Sequence, residues 1–135
     1  MTGYDYMMRP RRLELRIRRV CLQIEELESC LLPQGIRYDR DKVQTSPEDQ
    51  LSKVAARILE LEKVRDQMIR ERALLILEVQ DSIDTLDSEP ERLVLEAYFL
   101  SRMSMVSIAE MMHYSLRQTF NIRTKALQKI ARFAR

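Results

Sequence analysis

The chain has 135 residues, with 23 Lys and Arg against 21 Asp and Glu for a formal net charge of +2, and only 2 glycines and 4 prolines. Its 45% hydrophobic content excludes a disordered tail, while 33% charge with 6% aromatics favours long solvated helices over one thick globule. No apolar stretch approaches a membrane span, and Cys21 and Cys30 with the single His113 are too few for a metal site.

Residues 1–8 are expected to be a frayed lead-in, with Pro10 the earliest sensible helix start. No apolar segment follows the first charges, so no signal peptide is expected. From Leu13 the chain repeats Ile17, Val20, Ile24, Leu27 and Leu31 at spacings of four and three, the seam of a coiled coil. Arg9, Arg11, Arg12, Arg16, Arg18 and Arg19 crowd the first half of this helix; Glu25, Glu26 and Glu28 crowd the second. This charge is either the solvated face of a helical hairpin or a second phosphate contact. Cys21 and Cys30 lie too far apart along one helix to bridge, which suggests reduced thiols in a cytosol.

Proline and glycine in the run Leu32, Pro33, Gln34, Gly35 end the first helix, and a loop spans about 32–46. Its Arg37, Tyr38, Arg40 and Lys42 fit a phosphate clamp or a polar connector. Ser46, Pro47, Glu48 and Asp49 open the next helix: a cap, a proline at the first position, and acids against the positive end of the dipole. That helix is predicted from 47 to about 86, and Leu51, Val54, Ile58 and Leu61 form a seam that can receive the first helix antiparallel. Beyond Met68, residues 73–77 are apolar all round. Such a segment needs neighbours on every side, from the C-terminal unit, a second subunit, or both. Ser88, Glu89, Pro90 and Glu91 cap a further helix whose Leu93, Ala97 and Leu100, flanked by Val94 and Tyr98, give it an apolar face.

Residues 104–130 read as two helices joined by a tight turn. Ser104 can cap the first, whose Ile108, Ala109 and Met112 face inward. His113 and Tyr114 must reverse the chain without glycine, so strain is expected near His113. Ser115 can cap the second helix, with Gln118 at the capping-box spacing. Thr119, Ile122, Ala126, Ile130 and Phe133 share one face, which is expected to be buried. The opposite side carries cations and amides suited to base edges and phosphates, a helix-turn-helix arranged to enter a DNA groove. Arg117, Gln118 and Asn121 are the predicted base readers, Gln118 being equally able to serve its own cap. Ser115, Thr124, Lys125, Gln128 and Lys129 are the predicted phosphate contacts, and Arg123 is expected to pair with an acid of the preceding support helix.

Charge is also sorted along the chain. From Met111 onward there is no acid, whereas Glu78, Asp81, Asp84, Asp87, Glu89 and Glu91 crowd the segment before it. One stretch attracts phosphate and the other repels it. There is no glycine-rich phosphate loop, no Cys-x-x-Cys and no nucleophile elbow, and neighbouring acids such as Glu25 and Glu26 point in different directions. No catalytic residues, cofactor or metal are predicted, and the chain is not expected to be an enzyme.

Met103, Ser104, Ile108, Ala109, Glu110 and Met112, then Tyr114, Ser115, Arg117 and Gln118, then Lys125, Ala126, Leu127, Lys129 and Ile130 resemble region 4 of the bacterial sigma-70 factors. More narrowly, the chain is similar to phage late transcription regulators of the ArpU and RinA-like group, which Tyr38, Asp39, Asp41 to Ser46 and Pro47 also resemble. His113 stands where a glycine is common, and Thr119 where an aliphatic residue is common. The resemblance implies late-gene activation, RNA polymerase as a partner, and the cytoplasm of a bacterial host.

The fold expected is all-α: an N-terminal antiparallel helical hairpin over 1–86, for oligomerisation or partner docking, and a three-helix DNA-binding unit over 87–135. The function expected is a sequence-specific transcription regulator that binds double-stranded promoter DNA as a homodimer, because one recognition helix makes few base contacts. Two alternatives stand beside it: a helical interaction protein that binds polymerase without DNA, and a DNA-packaging recognition subunit.

Overall fold

The computed structural model describes residues 1–32 and 47–134. The loop predicted at 32–46, with Arg37, Tyr38, Arg40, Lys42 and the Ser46 cap, lies outside the described residues after Leu32. The chain is all-α: α1 (Gly3–Leu31), α2 (Pro47–Asp84), α3 (Glu89–Leu95), a π-helical turn (Glu96–Leu100), α4 (Met105–Met112), α5 (Leu116–Ile130) and a closing 3-10 turn (Ala131–Phe133). No described helix is long and apolar enough to cross a membrane.

Two compact units emerge, and their division differs from the expected boundary at 86/87. One unit comprises Met1–Arg12 with Arg72–Arg135; the other is Leu13–Glu71. The N-terminal residues therefore belong with the C-terminal helices, and the reading of 1–8 as a frayed lead-in is corrected. Thr2 caps α1, its Oγ1 accepting from the Asp5 amide at 3.1 Å while the Asp5 carboxylate accepts from the Thr2 hydroxyl at 2.9 Å. Hydrogen bonds from Arg12 and Thr2 hold the Asp5 carboxyl below its ordinary range. Within the first two turns Tyr6 and Met7 are buried, at 4% and 1% exposure. The Tyr6 hydroxyl meets Ser82 Oγ at 2.8 Å, and that serine in turn donates to the Glu78 carbonyl at 3.0 Å.

Pro10 lies inside α1 rather than opening it. A proline at this position leaves the carbonyl four residues back without its amide donor. That carbonyl belongs to Tyr6, and Arg9 Nε fills the vacancy at 3.0 Å, its guanidinium lying 4.1 Å from the Tyr6 ring centre. The helix continues because a side chain replaces the missing N–H.

The main core of this unit joins Tyr6 and Met7 of α1 to Val79 and Ile83 of α2, Leu95 of α3, Phe99, and Ala126 and Ile130 of α5. A second cluster, Val94, Ala97, Met105 and Ile108, seats α4 against α3 and the π turn, with Met112 and Ile122 packed on it. In the apolar run predicted to need neighbours on every side, Leu75 and Ile76 are half-buried, whereas Leu74 and Leu77 remain exposed. Ser88 caps α3 through the Glu91 amide, and Arg92 donates to the Leu86 carbonyl while pairing with Glu89.

In the unit Leu13–Glu71, Val20 and Ile24 of α1 bury against Ile58 and Leu61 of α2, with Leu27, Leu31, Val54 and Met68 packed around them. All but Met68 are predicted seam residues. Arg16 borders Met68 and Glu71, while Leu27 borders Arg57 and Leu61, so the two helices run in opposite directions here.

Candidate nucleic-acid interface

The chain's candidate surface is built on α4, α5 and the turn between them. Ser104 Oγ accepts from the Ser107 amide at 3.1 Å and starts α4. The helix stops at His113, whose φ of 60° and ψ of 35° are left-handed, and whose amide bonds back to Ala109 and Glu110. The strain anticipated there is present, in a residue type that tolerates the region better than most. Tyr114 N–H donates to the Ala109 carbonyl at 3.0 Å, which tightens the reversal. At the next residue Ser115 Oγ accepts from the Gln118 amide at 3.1 Å and starts α5.

One side of α5 is sealed: Thr119, Ala126 and Ile130 are fully buried, with Ile122 and Phe133 half-buried beside them. Thr119 fits this apolar face because its hydroxyl donates to the Ser115 carbonyl at 2.9 Å, so no polar group is left unsatisfied. The departure at this position has a local solution.

The other side is open. Arg117, Gln118 and Asn121 are all exposed, as are Ser115, Thr124, Lys125, Gln128 and Lys129. At 100° per residue, Arg117, Asn121, Thr124, Lys125 and Gln128 project opposite the buried stripe, and Gln118 flanks them. Ser115 is occupied by its cap, and Thr124 donates its hydroxyl to the Phe120 carbonyl at 2.9 Å, which leaves lone pairs but no proton for an acceptor.

Lys129 stands apart from the other predicted phosphate contacts. Its ammonium is 2.9 and 3.0 Å from the two oxygens of Glu91, a carboxylate on α3 at only 7% exposure. Two of its three N–H donors are thus engaged in tying α5 to α3. The pairing with a support-helix acid expected of Arg123 is made by Lys129 instead. Arg123 lies over aromatics, its guanidinium carbon 5.0 Å from the Tyr98 ring centre and 4.9 Å from that of Phe120. The correction has a geometric reason: on α5, Arg123 points at the aromatic π turn, and Lys129 lies nearly two turns further along, over Glu91.

Sequence reasoning missed the contribution of the first turn of α1. Gly3 packs on the backbone of α5 so closely that a Cβ there would stand 2.3 Å from the Leu127 carbonyl oxygen. Beside it a cleft of about 390 Å³ is lined by Tyr4, Thr124, Leu127 and Gln128. Tyr4 contacts Phe99 edge to face at 5.7 Å, and a hydrogen bond with Tyr98, together with burial, raises its pKa. The capping-box spacing of Thr2 and Asp5 was the signal available for this segment.

The electrostatics follow the sequence: residues 111–134 carry no carboxylate, so the open side of α5 is purely cationic and neutral. Among the described residues, no group of His, Cys, Asp or Glu is placed to hold a metal ion. Family models, curated proteins and solved structures give no match to this chain.

Proposed function

We propose that this chain is a sequence-specific DNA-binding transcription regulator of the phage late-gene type, in which α4 and α5 act as a helix-turn-helix. The observation that carries the reading is the division of α5. Arg117, Gln118 and Asn121 are exposed together near its N-terminus while Thr119, Ala126 and Ile130 are fully buried. A helix with its first turns open in this way offers bidentate side chains to base edges in the major groove. Arg117 and Asn121 read bases; Gln118 joins them, since its cap is made through its backbone amide. Lys125 and Gln128 hold phosphate, Ser115 joins them through the hydroxyl proton its cap leaves free, Thr124 does so only by giving up its bond to the Phe120 carbonyl, and Lys129 contributes through its one remaining donor. The partners are double-stranded promoter DNA, a second copy of the chain and, as the sigma-like pattern implies, RNA polymerase, in the cytoplasm of a bacterial host.

Binding to a selected duplex and to a random one, measured across a salt series, tests the assignment. Arg117→Ala should weaken specific binding by about 1–3 kcal/mol and relax one base position. Lys125→Ala should weaken all duplexes equally and lower the salt slope by about one. Uniform losses in both variants would remove the distinction between readers and phosphate contacts.

One observation favours a second reading. Val106, Met111, Leu116 and Phe120 are large apolar residues left 55%, 49%, 43% and 39% exposed on α4 and α5. Such a surface suits a protein partner better than DNA. A helical adaptor that binds polymerase alone would give no gel shift at low salt and micromolar protein, yet would retain polymerase in a pull-down.

A further inference from the structure

Within the unit Leu13–Glu71, α1 carries two apolar faces. Val20 and Ile24 are spent against α2, whereas Leu15 and Leu22 stand 62% and 65% exposed. At 100° per residue these two leucines lie nearly opposite the buried pair, and they are one heptad apart. They border a cleft of about 710 Å³ that continues past Arg19 and Leu27 to Arg57 and Leu61 of α2. A two-helix unit has no third layer to cover such a face.

The charges say what covers it. Arg16, Arg18 and Arg19 occupy the first half of this stretch of α1; Glu25, Glu26 and Glu28 occupy the second. Arg18 has a local partner, Glu14, only at 3.5 Å with 66% of its own side chain exposed, while among the described residues Arg16, Arg19 and the three glutamates form no ion pair. A parallel copy would set arginines against arginines and glutamates against glutamates. An antiparallel copy centred on Leu22 sets Arg18 beside Glu26 and Arg19 beside Glu25 of the other chain, brings Leu22 onto Leu22, and lays Leu15 near Ser29.

We propose that the chain forms a homodimer through this outer face of α1, antiparallel, with Leu22 of both copies at its centre and Leu15 on its flanks. The inference deepens the regulator reading, on which its use rests: a second copy supplies the second half-site that one recognition helix lacks. The dimer itself is a matter of α1 alone.

Sedimentation equilibrium of the full chain without DNA tests it, in a Cys21→Ser, Cys30→Ser background. The parent chain should be dimeric at tens of micromolar, and Leu15→Glu with Leu22→Glu should raise the dissociation constant by about a hundredfold or more. Both side chains are already in solvent, so the far-ultraviolet circular dichroism of the variant should be unchanged. Orientation is read by mixing Leu15→Cys chains with Ser29→Cys chains under mild oxidation. A mixed disulfide exceeding either homodisulfide supports the antiparallel arrangement. A monomeric parent, predominant homodisulfides, or a dimer lost only on Leu74→Glu with Leu77→Glu would each overturn the proposal. Duplex binding, assayed separately, fails or succeeds without reference to these outcomes and judges the DNA reading alone.

Discussion

The unit Met1–Arg12 with Arg72–Arg135 draws on α1, α2, α3, the π turn and α5 for one core, whereas Leu13–Glu71 has only two helices to close around Val20, Ile24, Ile58 and Leu61. The first unit has Ile130, Ile108, Val94 and Leu95 at 0% exposure; none of the four core residues of the second falls below 4%. Layers explain the difference. Several crossing helices can enclose a side chain, while two leave every core residue near an edge. The enclosed unit presents the candidate readers on a rigid helix, and the open one keeps apolar surface to offer a partner.

The sharpest way to break this comparison is to delete the same atoms from each core. Ile130→Ala should cost about 3–5 kcal/mol, because a fully enclosed site collapses poorly around a cavity, and Ile24→Ala about 2–3 kcal/mol. Thermal and denaturant unfolding followed by hydrogen exchange would assign each loss to its unit. Equal costs would mean that the two cores are equally closed. Next in size is Gly3→Ala, which forces a Cβ toward the Leu127 carbonyl at 2.3 Å and must displace backbone. A loss of about 2–3 kcal/mol is expected in melting experiments and, on the proposed DNA-binding reading, weaker duplex binding if α5 shifts. Unchanged stability would mean that the first turn is not a fixed part of the unit.

The Glu91 and Lys129 pair sharpens the comparison further, since it is buried at one end and exposed at the other, 10% against 55% for the two side chains. Lys129→Ala strands a carboxylate away from water and should cost about 1–3 kcal/mol. Glu91→Ala frees an ammonium that can turn to solvent, for about 1 kcal/mol beyond the packing lost. The opposite ranking would argue that the lysine, and not the acid, is the constrained partner. The smallest effect is expected at the turn: His113→Gly removes the left-handed strain and should alter stability by no more than about 1 kcal/mol, while His113→Val should destabilise by about 1–2 kcal/mol.

Much of this organisation was written in local signals. Ser104 and Ser115 cap α4 and α5 as expected, the second at its spacing to Gln118, and the stripe of Thr119, Ala126 and Ile130 is buried as its period requires. Caps and periods act over a few residues, so a single sequence displays them. The role of residues 2–7 was hidden for the opposite reason. Tyr6 and Met7 are buried by Val79, Ile83 and Ile130, far away in sequence, and Pro10 suggested a start where Arg9 in fact bridges an interruption. Likewise no local rule distinguishes Lys129 from Arg123 as the partner of Glu91; only the rotation of α5 against α3 decides it. The π turn is equally illegible, because it depends on Ser101 N–H reaching the Glu96 carbonyl at 3.0 Å rather than on any residue type.

The shared burial of Tyr6 and Ile130 also imposes an order of events on the making of this protein. As the chain leaves the ribosome, the opening turns of α1 emerge early and must wait, with Tyr6 and Met7 uncovered, until the last turn of α5 arrives to enclose them. Closing so long a loop is slow, and an apolar segment held open in the interval is a natural target for chaperones. The packing of α5 is thus completed by residues synthesised long before it.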